Sequence, residues 1–370
     1  MGKRRLLQWY HNYALVLGVT SHRLLASGRV QQSWLARCYA LLVNVFVLLS
    51  QPLILWRSTQ YINANNWFPN LIPLTSYILY SVSYAAIAYT IVSRGRRDCA
   101  LVELEGIVRR VMRQHPHRVE RNLEYIFYTK LATMVFLCLT GMLMCFMMPN
   151  EHRWHVLLMT FIFQNAMNIP AVASYRYFLA LWYMACSYQS INRRLEELLQ
   201  AFKARLPRRD EREELRRLWS MHALLGQSLL RINKVYGLLM LAARFDFATF
   251  TVIDAYWGML FMFSEKVPMY AVVFGSFNYW IRLVDFYLLD VMCDLTTRYQ
   301  NNTYDAATEA LWCQELNSYL IYARTSRLEI SVCGLFTVNR ERWFKMLGSM
   351  ATFALLLLQF HLLLKDKFSL

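Results

Sequence analysis

Seven stretches of this chain are apolar for about 20 residues or more, the length an α-helix needs to cross a bilayer. They cover approximately 35–55, 71–92, 127–148, 156–180, 236–263, 269–292 and 344–364. Of the 370 residues, 57% are hydrophobic and 17% charged, whereas a water-soluble domain carries about a quarter charged residues. Lipid offers no partner for free backbone groups, so a spanning segment must be a helix or part of a closed barrel. Long runs without strict alternation predict helices. The expected fold class is therefore all-α: a polytopic membrane protein with seven transmembrane helices. Residues 9–18 are too short to cross and are expected to lie at the interface as a short helix.

Charge sets the expected orientation. Thirty-one of the 40 Lys and Arg residues lie before the first span, in 93–124, in 187–235, or between 294 and Lys345. The alternate connections and the tail hold five: Arg57, Arg153, Lys266, Lys365 and Lys367. The positive-inside rule assigns the basic side to the cytoplasm. The N-terminus is then cytoplasmic and the C-terminus extracellular, opposite to a seven-span G-protein-coupled receptor. Residues 1–34 form the cytoplasmic N-terminal part, and 35–292 hold six spans with cytoplasmic loops 93–126 and 181–235. Residues 293–343 are cytoplasmic, 344–364 form the last span, and 365–370 an extracellular tail. The net charge of +16 is explained by this asymmetry facing an anionic leaflet, so no nucleic-acid partner is expected.

No cysteine falls in an outer connection, so no disulfide framework is expected. Asn301-Asn302-Thr303 matches a glycosylation acceptor, but on the inner side it is expected to be unused. The start, Met1-Gly2-Lys3-Arg4-Arg5, lacks the long apolar run of a cleavable signal, and Leu6 leaves the myristoylation pattern incomplete.

Apolar residues spaced by three and four through Leu195, Leu198, Leu199 and Phe202, and again from Leu215 to Ile232, predict that the fourth and fifth spans continue as long helical extensions, broken near Pro207. Leu316, Tyr319, Leu320 and Ala323 suggest a further helix over 309–336. His115-Pro116-His117 lies in a basic loop and is expected to be solvated. Glycine-rich phosphate loops, serine elbows and metal-spaced histidines are absent from the sequence. It is not read as an enzyme, and no cofactor or metal is expected.

Charges inside spans need a reason. Lys130 and Arg176 lie near span ends and can snorkel. Arg244, Asp246, Arg282 and Asp285 are deeper. Matching depths at about 1.5 Å per residue pairs Arg244 with Asp285 and Asp246 with Arg282. A small-molecule pocket would draw on polar and aromatic groups in the outer halves of several spans. Tyr77 and Tyr80 (with Tyr84), Gln164 and Asn168, Asp254 and Trp257, and Asn278 (with Tyr270 and Phe274) are the candidates. Each of them taken singly also fits packing or an interfacial belt.

The last span reads Thr352-Phe353-Ala354-Leu355-Leu356-Leu357-Leu358-Gln359-Phe360. Thr352 and Gln359 are seven residues apart and share one face of an otherwise apolar helix. This segment resembles the signature of insect gustatory receptors: Thr-Tyr, five apolar residues, then Gln-Phe. Phe353 replaces the tyrosine. Gly334-Leu335-Phe336 and Gly348 extend the resemblance upstream. It implies a tetrameric ligand-gated cation channel in the plasma membrane of chemosensory neurons, a homo- or heterotetramer with other gustatory receptors. The last span would line the pore, with Thr352, Leu356, Gln359 and Phe360 at the pore and gate. The ligand would be a small tastant. Sugar receptors of the family carry an acidic residue where Ala354 stands, so a bitter or other non-sugar compound is expected. A seven-helix receptor coupled to an intracellular partner and a membrane transporter are the alternatives.

Overall fold

The computed structural model describes residues 3–24, 30–64, 72–114, 119–147, 154–204, 208–262, 269–307, 318, 321–322 and 328–368. Helix α1 is Lys3–Val16, followed by a hairpin of β1 (His22–Leu24) and β2 (Val30–Gln32). Then come α2 (Trp34–Ala64), α3 (Ile72–Val92), α4 (Arg94–Gln114), α5 (Arg121–Met147), α6 (Trp154–Ala204), α7 (Arg209–Met262) and α8 (Met269–Ala307). A second hairpin, β3 (Ser331–Val332) with β4 (Phe336–Thr337), leads into α9 (Arg340–Phe368).

Among the described residues, α2, α3, α5, α6, α7 and α9 are long and apolar enough to cross a membrane by composition alone. The 39-residue α8 falls short because Arg282, Asp285 and Asp290 interrupt its apolar run. It supplies the seventh spanning segment, packed against α5, α6 and α7.

Helices α6 and α7 are 51 and 54 residues long. At about 1.5 Å per residue each is roughly 80 Å in length, far more than the hydrocarbon core needs. The extensions expected from the 3–4 spacing are therefore continuous helix, with the chain leaving α6 at Ala204 and entering α7 at Arg209. Pro207 itself lies outside the described residues. Arg194 clamps the two extensions through Glu214, Nε to Oε1 at 2.6 Å. From Val172 to Ser187 nearly every side chain of α6 is buried. A helix apolar on all sides belongs at the centre of a bundle, and α1, α4, α5, α7 and α8 pack around it.

Three sequence expectations are corrected. The N-terminal helix runs over Lys3–Val16, not 9–18, and it packs into the bundle. Tyr10 and Ala14 are buried, Tyr10 donates to the Val172 carbonyl at 2.8 Å, and Asn168 donates to the Tyr13 hydroxyl at 3.0 Å. Fully buried small residues on α6, Ala166 and Ala173, leave room for this close approach. Second, residues 331–337 form a hairpin, not a helix. Cys333 and Gly334 adopt positive φ values of 51° and 72°, which a helix cannot accommodate. Ser318 and Ile321–Tyr322 are helical; most of the remaining 309–336 stretch, and His115-Pro116-His117, lie outside the described residues. Third, neither Lys130 nor Arg176 snorkels. Both are buried and paired, as described below.

The β3–β4 hairpin fixes the start of α9. Gly237 on α7 makes room for it: an added Cβ would lie 3.4 Å from the Cys333 sulfur. The Arg244 guanidinium sits 5.4 Å from the Phe336 ring centre. On α9 itself, Trp343 and Met350 join Phe247, Leu283 and Phe286 in a compact cluster, with the Trp343 and Tyr287 rings 4.9 Å apart.

Candidate functional site

Helix α9 has two unlike faces. Trp343, Met350 and Ala354 are buried, and Leu347, Leu357 and His361 are half-buried, a 3–4 spacing turned toward α7 and α8. Thr352, Leu355, Leu356, Gln359 and Phe360 are exposed, the last at 60%. Thr352 donates to the Gly348 carbonyl at 3.1 Å, so its hydroxyl is satisfied within the helix. Gln359 has no hydrogen-bond partner among the described residues. An amide on a spanning helix cannot be left to hydrocarbon. This face therefore needs water or another chain. Beside it, the Tyr256 hydroxyl of α7 lies 3.2 Å from His361 Nδ1, a hydrogen bond tying the far end of α9 to α7.

The buried charges are paired, though not as depth matching suggested. Arg244 pairs with Asp290. Asp285 pairs with Lys130, Nζ to Oδ2 at 2.6 Å, and accepts from Thr133 at 2.7 Å. Lys130 also donates to the Asp285 carbonyl at 2.7 Å. The depth argument failed by less than one turn. Mirroring α7 onto α8 about the 263–268 connection puts Arg244 level with residue 287, about 3 Å from 285 and about 4.5 Å from 290 along the axis. Side-chain reach decides such a case, and Lys130 on α5 already holds Asp285. Asp246 and Arg282 do not form an ion pair. Asp246 accepts from Ser83 on α3. Arg282 lies over the Phe250 ring, 3.3 Å from its centre, in the field of Asp246, Asp254 and Asp285.

The pocket candidates are brought together only in part. Tyr80 meets Phe163 of α6 edge-on at 5.5 Å, and Trp257 donates to Thr75 of α3 at 3.1 Å, so α3 bridges α6 and α7. Gln164 donates to Asn168 at 3.5 Å within α6. Asp254 faces Arg282 and Tyr279 of α8. Asn278 instead accepts from Thr140 on α5 at 3.3 Å. Tyr77 is 63% exposed, and Tyr84 donates to the Leu48 carbonyl of α2 at 3.2 Å, so these two do not share Tyr80's surroundings. The Tyr270 side chain lies outside the described residues. Sequence reasoning missed Asp290, Ser83, Tyr256 and His361. The apolar runs around them hid single polar residues whose partners lie on distant helices.

This arrangement of helices can be compared with known proteins. The model of the 7tm chemosensory receptor family matches residues 7–364. The chain belongs to that family. The receptor is 34% identical over 305 residues to "Putative gustatory receptor 59b" of Drosophila erecta, an alignment covering 81% of this chain and 52% of that protein. It thus spans about half the length of that curated relative. Its fold is shared with the solved insect olfactory receptor OR5 from Machilis hrabei. The TM-score is 0.67 at 13% identity, over 96% of this receptor and 98% of the other. The same olfactory receptor in complex with eugenol gives a TM-score of 0.65 at 14% identity, covering 96% and 99%. This receptor is a member of a multi-pass membrane receptor family, not of an enzyme family.

Proposed function

We propose that this receptor is a gustatory receptor working as a ligand-gated cation channel, opened by a small non-sugar tastant. Four chains surround a central pore, all alike or mixed with other gustatory receptors, and each contributes the uncovered face of α9. The observation that carries this reading is the unpartnered Gln359 beside Phe360 on that face. Four such faces enclose a wet path with an apolar constriction at Leu356 and Phe360, and a narrow apolar ring closes by dewetting. Asp254, Trp257 and Tyr80, on α7 and α3, belong to the tastant pocket. The Tyr256–His361 hydrogen bond then runs from the pocket's own helix to the residue beside Phe360. The basic connections place the N-terminus in the cytoplasm. By resemblance the receptor works in the plasma membrane of chemosensory neurons.

The test is to express the chain alone and record membrane current while applying a panel of bitter and sugar compounds. A cation current evoked by a non-sugar compound supports the proposal. A response carried only by an intracellular second messenger, or solute uptake without current, refutes it in favour of a coupled receptor or a transporter. Antibody access to terminal tags on intact cells checks the orientation separately: the C-terminal tag should stain and the N-terminal one should not.

A further inference from the structure

A cavity of about 650 Å³ opens between the first turns of α2 and the start of α4, beside β1. Its lining includes Trp34, Arg37, Leu41, Arg94, Asp98 and Cys99. α2 and α3 are spanning helices, and the cavity sits where α2 begins and where α3 has just ended. That places it at the rim of the bilayer. Trp34 and Leu41 are exposed, at 74% and 56%, and form an apolar wall on the lipid side. The opposite side is polar.

The polar side has a surplus of positive charge. Asp98 is its one carboxylate and is fully engaged. Arg176 donates to Oδ1 at 2.6 Å, the Ser21 amide and hydroxyl both donate to Oδ2 at 3.0 Å, and His22 Nδ1 lies 3.3 Å from Oδ2. Two further guanidinium groups, those of Arg94 and Arg37, line the cavity without a carboxylate of their own. Arg94 gives one N–H to the Gly18 carbonyl at 3.3 Å, which leaves four donors of its fork unused there. Arg37 is exposed and has no acidic partner among the described residues. A half-buried and an exposed guanidinium beside one saturated carboxylate leave the cavity with unmatched positive charge, which an anion would balance, and guanidinium forks match phosphate oxygens.

We propose that this cavity binds the phosphorylated headgroup of an anionic membrane lipid, with Arg37 and Arg94 on the phosphate and the acyl chains along Trp34 and Leu41. The bound lipid links α2 to α4, and α4 packs directly on α6 and α7. Loading of this site therefore braces the bundle from its basic side. The proposal is independent of the channel reading. It needs only the membrane placement of the receptor, and binding is measured without current.

Cys99 lines the cavity and is exposed, while Cys333 is exposed on the β3–β4 hairpin. The full chain, purified in a neutral detergent, is labelled with a maleimide, and the rate at each cysteine is read by peptide mass spectrometry. Short-chain phosphatidylinositol 4-phosphate is expected to slow labelling of Cys99 and leave Cys333 unchanged. Short-chain phosphatidylcholine and inorganic phosphate at the same concentration are expected to do neither. Arg37→Gln should weaken the protection about fivefold, the effect of one basic side chain near a lipid headgroup. Its melting temperature without lipid should equal that of the parent, because the exposed Arg37 side chain has no hydrogen bond or ion pair among the described residues. Arg110→Gln, an exposed arginine further along α4, should leave protection intact. Equal protection by inorganic phosphate overturns the lipid assignment. Equal protection by phosphatidylcholine, or undiminished protection in Arg37→Gln, overturns the headgroup site.

Discussion

Four buried charges on α5, α7 and α8 allow two pairings, and the structure selects one: Arg244 with Asp290 and Lys130 with Asp285. The Lys130 side chain is 3% exposed and that of Asp285 17%. At 2.6 Å and an effective dielectric constant of 20, their gross attraction is about 6 kcal/mol. Desolvation offsets much of this. Removing one partner leaves a buried charge uncompensated, which costs about 3–5 kcal/mol. Lys130→Met, Asp285→Asn, Arg244→Met and Asp290→Asn should each lower surface expression and the melting temperature of the purified receptor. The informative measurement is the set of four double variants that combine one cation with one acid. Within a native pair, losing the second charge removes the uncompensated one, so a favourable coupling of about 1–3 kcal/mol should appear. Across pairs, Arg244→Met with Asp285→Asn should be near additive, since each change orphans a different partner. Coupling as large for Arg244 with Asp285 as for Arg244 with Asp290 would refute the pairing and restore the depth-matched one.

Three further outcomes follow from the geometry. His222, in the extension of α7, is buried against Tyr188 and 3.3 Å from the Gln300 carbonyl, and burial lowers its pKa from 6.5 to about 4. The unfolded chain takes up this proton first, so stability should fall as pH drops from about 6.5 to about 4, by up to about 3 kcal/mol; thermal melts of His222→Gln should show a flatter pH dependence. Gln359→Cys and Phe360→Cys should react with an externally added thiol reagent, faster with tastant present, while Leu357→Cys on the packed face should react slowly in both states; the reverse order would reassign the exposed face to packing. Tyr256→Phe removes a single neutral hydrogen bond worth about 0.5–1.5 kcal/mol and should change the basal open–closed balance about 2- to 10-fold, with His361→Phe adding little to it in the double variant.

The spanning helices were legible because the bilayer dictates both their length and their backbone pairing. The division of α9 into a packed and an open face was equally legible, since Thr352 and Gln359 interrupt the apolar run two turns apart. The continuous extensions of α6 and α7 followed from helical spacing alone. What sequence could not supply was lateral position. Depth along a helix can be counted, but Lys130 and Arg176 looked like rim residues until Asp285 and Asp98 on other helices were placed within reach. The second hairpin was hidden because leucines and tyrosines upstream gave a helical period up to Ala323. The turning signal, Gly334 between Ile330-Ser331-Val332 and Phe336-Thr337-Val338, is only a few residues long. The pocket candidates show the same limit of counting along a helix: Tyr77 and Tyr80 are three residues apart, yet Tyr77 is exposed and Tyr80 meets Phe163 of α6.

The clamped start of α9 makes it a lever. Its near end is held by the β3–β4 hairpin and the Trp343–Met350 cluster, whereas its far end is tied to α7 at Tyr256. From Met350 to Phe360 the arm is about 15 Å long at 1.5 Å per residue. A tilt of about 8° about the clamp moves Phe360 by about 2 Å, given that arm. In the proposed tetramer opposite arms swing apart together, so the clear space between facing phenylalanines grows by about 4 Å, more than the width of a water molecule. In that tetramer, a pivot at the packed end and a weak tie at the other would turn a small rotation into the difference between a dry ring and a wet one.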